Sequence, residues 1–142
     1  MKKLMMLTAC AAFGISCYAQ KVDASKVPAV VKTSFAKMYP SATNTKWEME
    51  KGNYEAEFKN NGSMMSTVFK PDGTMTESEV EIKASELPVR VQSYVKEHYK
   101  GKHIKEGAKI TKANGEINYE AEVNGIDVIF DANGNFLKEE KE

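Results

Sequence analysis

The groups in this chain best suited to acid–base chemistry are two histidines and two pairs of glutamates. His98 falls near the apolar stripe of a predicted helix, and His103 falls in the loop after Gly101. A catalytic histidine needs a nucleophile or an orienting carboxylate held beside it, and the flanking sequence supplies neither. Glu55 with Glu57, and Glu120 with Glu122, each sit two residues apart. That spacing puts both members of a pair on one face of a strand. It is also the pattern of an ordinary solvated sheet face with lysines such as Lys46 opposite, which is the reading taken here. Asp131, Asn133 and Asn135 place oxygen side chains at alternate positions, the opening of a calcium-loop spacing. The twelfth position from Asp131 is Glu142, the last residue and not part of a loop, and the earlier copy of this segment has Lys70 at the first position. The segment therefore reads first as an Asn-Gly turn, with calcium the one cofactor it would take and no other cofactor implied. Thiolate chemistry depends on Cys10 and Cys17, both close to the amino terminus. No enzyme is expected from these groups.

Binding chemistry has better candidates. Trp47 is the only tryptophan, and Met64-Met65 stands at the tip of a predicted hairpin. Aromatic residues dominate interface hot spots and methionine adapts to irregular surfaces. Most of the aromatics of so small a chain must nevertheless serve its core.

The elements that position these residues occur twice. Ala24-Ser25-Lys26-Val27-Pro28 returns as Ala84-Ser85-Glu86-Leu87-Pro88. Tyr54-Glu55-Ala56-Glu57-Phe58 returns as Tyr119-Glu120-Ala121-Glu122-Val123, and Phe69-Lys70-Pro71-Asp72-Gly73 as Phe130-Asp131-Ala132-Asn133-Gly134. The order is the same in both passes, which marks a tandem duplication. Each repeat opens with apolar residues at helical spacing: Val27, Val31, Phe35 and Met38, then Leu87, Val91, Val95 and His98. Ser25 and Ser85 are expected as N-caps, with Pro28 and Pro88 in the first turn. Alternating segments with Asn-Gly and Asp-Gly turns follow, predicting four strands per repeat; those of the second repeat fall near 104–112, 117–123, 126–130 and 135–138. The fold class is thus α+β: helix plus antiparallel meander, twice, over about 22–83 and 84–142. The expected outcome is one roughly eight-stranded antiparallel sheet with both helices on one face. No Pro/Gly/Ser-rich linker separates the repeats, which favours one cooperative unit. The face carrying Glu48, Glu55, Glu57, Glu120 and Glu122 is expected to be wet.

Residues 1–19 read as an export signal. Lys2 and Lys3 precede an apolar run over 4–16, and Cys17-Tyr18-Ala19 gives small residues before a cut ahead of Gln20. The run is shorter than the ~20 residues that span a bilayer. Lipidation at Cys10 or Cys17 is the competing reading, less favoured on lipobox spacing. Cleavage leaves 20–142 without cysteine and with twenty acids against eighteen bases. No basic block or basic-aromatic stripe is present, so nucleic acid is not an expected partner. A periplasmic or secreted location follows.

Val27-Pro28, Trp47, Tyr54-Glu55-Ala56-Glu57, Phe69 and Asp72-Gly73 resemble the PepSY-like, β-lactamase-inhibitor-like family of small exported bacterial proteins. So do their second copies Leu87-Pro88, Tyr119-Glu120-Ala121-Glu122, Phe130 and Asn133-Gly134. The resemblance covers nearly all of the chain after the leader. It implies a binding module that docks a protein or peptide on its open sheet face and restrains a hydrolase. The other expectation is a small-ligand or calcium-responsive protein built on Asp131, Asn133 and Asn135. The places where the copies differ carry the site candidates: Trp47, Met64-Met65 and Asp131.

Overall fold

The computed structural model describes residues 20–141. The expected leader, with Cys10 and Cys17, and the terminal Glu142 lie outside the described residues. Among the described residues, two α-helices and nine antiparallel strands make up an α+β fold, with hydrogen-bonded neighbours following chain order from the first strand to the ninth. One strand more is present than the eight expected. Backbone contacts divide the described residues into two compact units, the first ending at Ser78 and the second beginning at Glu79.

The first unit contains β1 (Gln20–Val22), α1 (Ala29–Met38), β2 (Thr43–Glu50), β3 (Asn53–Asn60), β4 (Ser63–Phe69) and the start of β5 (Met75–Ile82). Pro28 occupies the N-cap of α1, not its first turn, with ψ at 141°. Ser25 is not the helix cap. It lies in a separate 3-10 turn, Ala24–Lys26, whose own cap is Asp23: the Asp23 carboxylate accepts the Ser25 amide at 2.8 Å. Proline fixes the extended entry to the helix, so the serine three residues earlier has no helical amide to cap. Val27, Val31 and Phe35 recur every four residues and pack on Trp47, Ala56, Phe58 and Phe69. Phe35 meets Phe58 edge-on at 4.9 Å and Trp47 at 5.3 Å. Such aromatic pairs contribute roughly 0.5–1.5 kcal/mol each beyond the area they bury.

The strand register sets the two faces. Trp47 stands opposite Ala56, Ala56 opposite Thr67, Tyr54 opposite Phe69 and Phe58 opposite Met65, which gives the face under α1. Lys46, Glu48, Glu55, Glu57, Lys59, Met64, Ser66 and Val68 alternate with these and make up the helix-free face. The β3–β4 hairpin turns through Asn61 and Gly62, both at positive φ, as the Asn-Gly signal requires.

The second unit repeats the plan with α2 (Val89–His98), β6 (Glu106–Lys112), β7 (Ile117–Glu122), β8 (Ile126–Asp131) and β9 (Phe136–Lys141). Leu87, Val91 and Val95 pack on Ala121, Val123, Val128 and Phe130. β9 extends to Lys141, past the expected end at 138 and through the charged tail. It is held from the helix side: the Tyr99 hydroxyl at the end of α2 donates to Glu139 at 2.5 Å. Burial, then the nearby Glu139 carboxylate, pushes the Tyr99 phenol up to about 12.

Candidate functional site

The helix-free face of the second unit holds the densest chemistry among the described residues. Glu106 stands directly opposite Glu122, Glu122 opposite Asp127, and Asp127 opposite Glu140. Four carboxylates thus form a row across β6, β7, β8 and β9. The next row is Ala108, Glu120, Ile129 and Lys138, and the one after it brings Ile110 beside Asn118 and Asp131. Lys105 forms an ion pair with Glu122, and Lys138 pairs with Glu140 at 2.6 Å. Like charges directly opposite one another oppose sheet pairing by roughly 0.2–1 kcal/mol per pair, which the two lysines offset in part. The matching face of the first unit mixes its signs: Lys21, Glu48, Glu55 and Val68 lie in one row, and Lys46, Glu57 and Ser66 in another.

This face is drier than a solvated sheet surface. Glu55 is 6% exposed and Glu122 5%, against the expectation of a wet face; Asp127 is also buried. Neighbouring side chains explain it. Cross-strand partners lie ~5 Å apart, close enough for long side chains to cover one another's stems. Glu55 has Val68 on one side, and Glu122 has Lys105 over it. Glu48, Glu57 and Glu120 keep part of their surface.

The expected site residues separate clearly. Trp47 lies in the α1 core at 7% exposure, with little surface to offer a partner. Met65 packs against the same core and accepts a weak contact from the Asn60 amide. Met64 stands opposite Lys59 on the helix-free face and is 43% exposed, the one of the three placed for contact. The alternation of a strand separates the two methionines, and the hairpin signal at Asn61-Gly62 fixes which one faces outward.

Asp131, Asn133 and Asn135 do come together, as a turn. One Asp131 oxygen accepts the Asn133 and Asn135 amides at 2.9 and 2.8 Å, and the other accepts the Asn135 side chain at 2.8 Å. These bonds, the Asn135 side chain first, hold the Asp131 carboxyl below its ordinary value. A cation entering here would have to displace them. No group of three His, Cys, Asp or Glu side chains among the described residues is arranged to hold a metal.

The histidines form no catalytic pair. His98 stacks on Tyr94 at 3.9 Å, its Nδ1 lies 3.0 Å from the Tyr94 carbonyl, and His103 is exposed in a loop. The signal that sequence reasoning missed is the carboxylate row. It follows from register, which pairs Glu122 with Glu106 and Asp127 across two turns that the sequence shows only as Asn-Gly.

Fold and site together define a class: a duplicated helix-plus-meander whose charged face carries no catalytic constellation among the described residues. The family profile described as "Putative beta-lactamase-inhibitor-like, PepSY-like" matches residues 14–77 and again 67–138, and the chain belongs to this family. Each match covers most of one repeat, and residues 67–77 belong to both matches. Solved structures share the fold. A "putative periplasmic" protein from Bacteroides eggerthii is 20% identical, with a TM-score of 0.74 over 81% of this chain and 88% of that one. A DUF2874 family protein from Bacteroides ovatus is also 20% identical, with a TM-score of 0.70 over 80% and 86%. A BLIP-like protein from Bacteroides fragilis is 23% identical, with a TM-score of 0.63 over 80% and 86%. No curated protein matches the chain. No helix among the described residues is long and apolar enough to cross a membrane.

Proposed function

We propose that this protein is an exported, non-enzymatic binding module that docks a protein or peptide partner on its helix-free sheet face, with a hydrolase as the class of partner it restrains. The carboxylate row of Glu106, Glu122, Asp127 and Glu140 carries the reading. The fold does not require this row, because the first repeat builds the same face with mixed charges. A partner presenting lysine or arginine to Glu106 and Glu140, the partly exposed ends of the row, would relieve the like-charge repulsion and gain charge-assisted hydrogen bonds. Met64, exposed on the helix-free face of the first unit, is a contact candidate of that unit alone. The inhibitor-like family description and the exported character of the sequence support the same reading.

The test is capture from periplasmic extract by the immobilised chain from Gln20 onward. A matched bait carries Glu106→Lys and Glu120→Lys, both partly exposed positions that tolerate a long side chain. The wild-type bait should retain a saturable partner that elutes with moderate salt, and the charge-reversed bait should lose it. Equal capture by both baits, or none by the wild type, overturns the proposal.

A further inference from the structure

A groove of about 360 Å³ runs beside α2, walled by Val89, Arg90, Tyr94 and Glu97 on one side and by Gly134 and Phe136 on the other. It lies on the helix side of the second unit, away from the carboxylate row. Its apolar surface is unusually open: Val89 is 77% exposed and Phe136 41%. Tyr94 stacks on Phe136 at 5.2 Å with the rings within 8° of parallel. Phe130 meets Tyr94 edge-on at 5.3 Å, and His98 backs the tyrosine ring at 3.9 Å. The aromatic wall is therefore braced from two directions and does not need a ligand to form.

Charge marks the two ends. The Arg90 guanidinium makes no hydrogen bond or ion pair to a described residue and acts on Asp131 only through space. Glu97 follows seven residues later on the same helix, two turns and ~10 Å along the axis. The groove thus presents a cation, a flat apolar wall and an anion in sequence. The first repeat has none of this. Val30, Ser34, Lys37 and Met75 occupy the positions of Arg90, Tyr94, Glu97 and Phe136 in the duplicated order. A helix packed on a meander is built there without any of the four residues, so the fold does not account for them.

We infer that this groove holds an extended peptide segment bearing a carboxylate, a bulky apolar side chain and an amine on alternate residues. In an extended chain, side chains at alternate positions point the same way, and five residues span ~13 Å. That length lays the apolar side chain on the Tyr94–Phe136 stack, with the carboxylate at Arg90 and the amine at Glu97. The site is separate from the helix-free face and does not depend on docking there.

The probe is the peptide acetyl-Asp-Gly-Leu-Gly-Lys-amide, titrated into the chain from Gln20 onward while aromatic and backbone NMR signals are followed. Saturable shifts are expected at Tyr94, Phe136 and the first two turns of α2. Arg90→Glu should weaken binding by about fivefold or more, the scale of an exposed charge pair. The double variant Arg90→Glu with Glu97→Arg should regain it, since the peptide can lie in the reverse sense. Arg90→Gln, which places no new charge beside Asp131, should weaken binding less than the reversal, by up to about fivefold, without the risk of misfolding. Shifts absent up to the solubility limit, shifts confined to the helix-free face, or an affinity indifferent to Arg90→Gln overturn the inference.

Discussion

Gly73 and Gly52 separate backbone strain from steric contact within one unit. Both have positive φ, +85° and +80°. A Cβ on Gly52 would meet nothing within 4 Å. A Cβ on Gly73 would lie 2.9 Å from Ser34 Oγ, 2.9 Å from Val30 Cγ2 and 3.1 Å from the Val30 carbonyl, because the β4–β5 turn rests directly on α1. Alanine in the left-handed region costs about 1–2 kcal/mol, and the loss of unfolded-chain entropy returns about 0.4–1 kcal/mol. Gly52→Ala should therefore lower stability by about 0.5–1 kcal/mol. Gly73→Ala adds an overpacking cost of about 1–3 kcal/mol, since the β-branched Val30 side chain it meets is stiff in a helix and the Val30 carbonyl behind it is also close. Its total should reach about 2–4 kcal/mol. Urea unfolding followed by Trp47 fluorescence measures both variants, as the only tryptophan sits in the core of this unit. Equal losses for the two variants would refute the claim that the turn is seated against α1.

Phe58→Ala should cost about 3–5 kcal/mol in the same assay, because the ring is fully buried and touches both Phe35 and Tyr39. Tyr99→Phe should loosen β9 and speed amide exchange over residues 136–141, leaving α2 intact. Because the Tyr99 phenol is raised in the fold, its contribution is full below pH ~10 and is lost as the pH rises toward about 12; Tyr99→Phe should remove that alkaline branch. Asp131 runs the other way. Its carboxyl is held down, so its contribution is present above the ordinary aspartate value of 3.8 and is lost as the pH falls below that. Asp131→Ala should lower the Tm at neutral pH and flatten the acid limb. A rise in Tm on adding calcium, abolished by Asp131→Ala, would instead make Asp131, Asn133 and Asn135 a cation loop.

The duplication and most strands were legible because alternation and Asn-Gly or Asp-Gly turns are local signals. The stripe Val27, Val31, Phe35 likewise announced α1 without tertiary information. β1 was not legible: three residues, Gln20–Val22, are too few for a period and pair only because Trp47 and its neighbours offer an edge. The helix cap was misread because Ser25 has the right chemistry, and only the chain path shows that Pro28 intervenes. Glu55 and Glu122 looked solvated because sequence shows polarity but not which neighbours cover a side chain. Trp47 and Met64 illustrate the same limit. Residue type suggested contact for both, and strand parity sent one inward and the other out.

Strand order carries a consequence for how the chain acquires its structure. Every strand has its predecessor as a hydrogen-bonding neighbour, so no strand waits for a distant segment to be delivered. Contacts of short sequence separation close quickly and at small entropic cost. A chain of this order can be threaded amino terminus first through a narrow channel and add strands as they emerge. As the sheet grows, each new strand covers the edge left by the one before it, so apart from the outer edge of β1 only the newest strand is unpaired, which limits the time available for misassembly with a neighbouring chain.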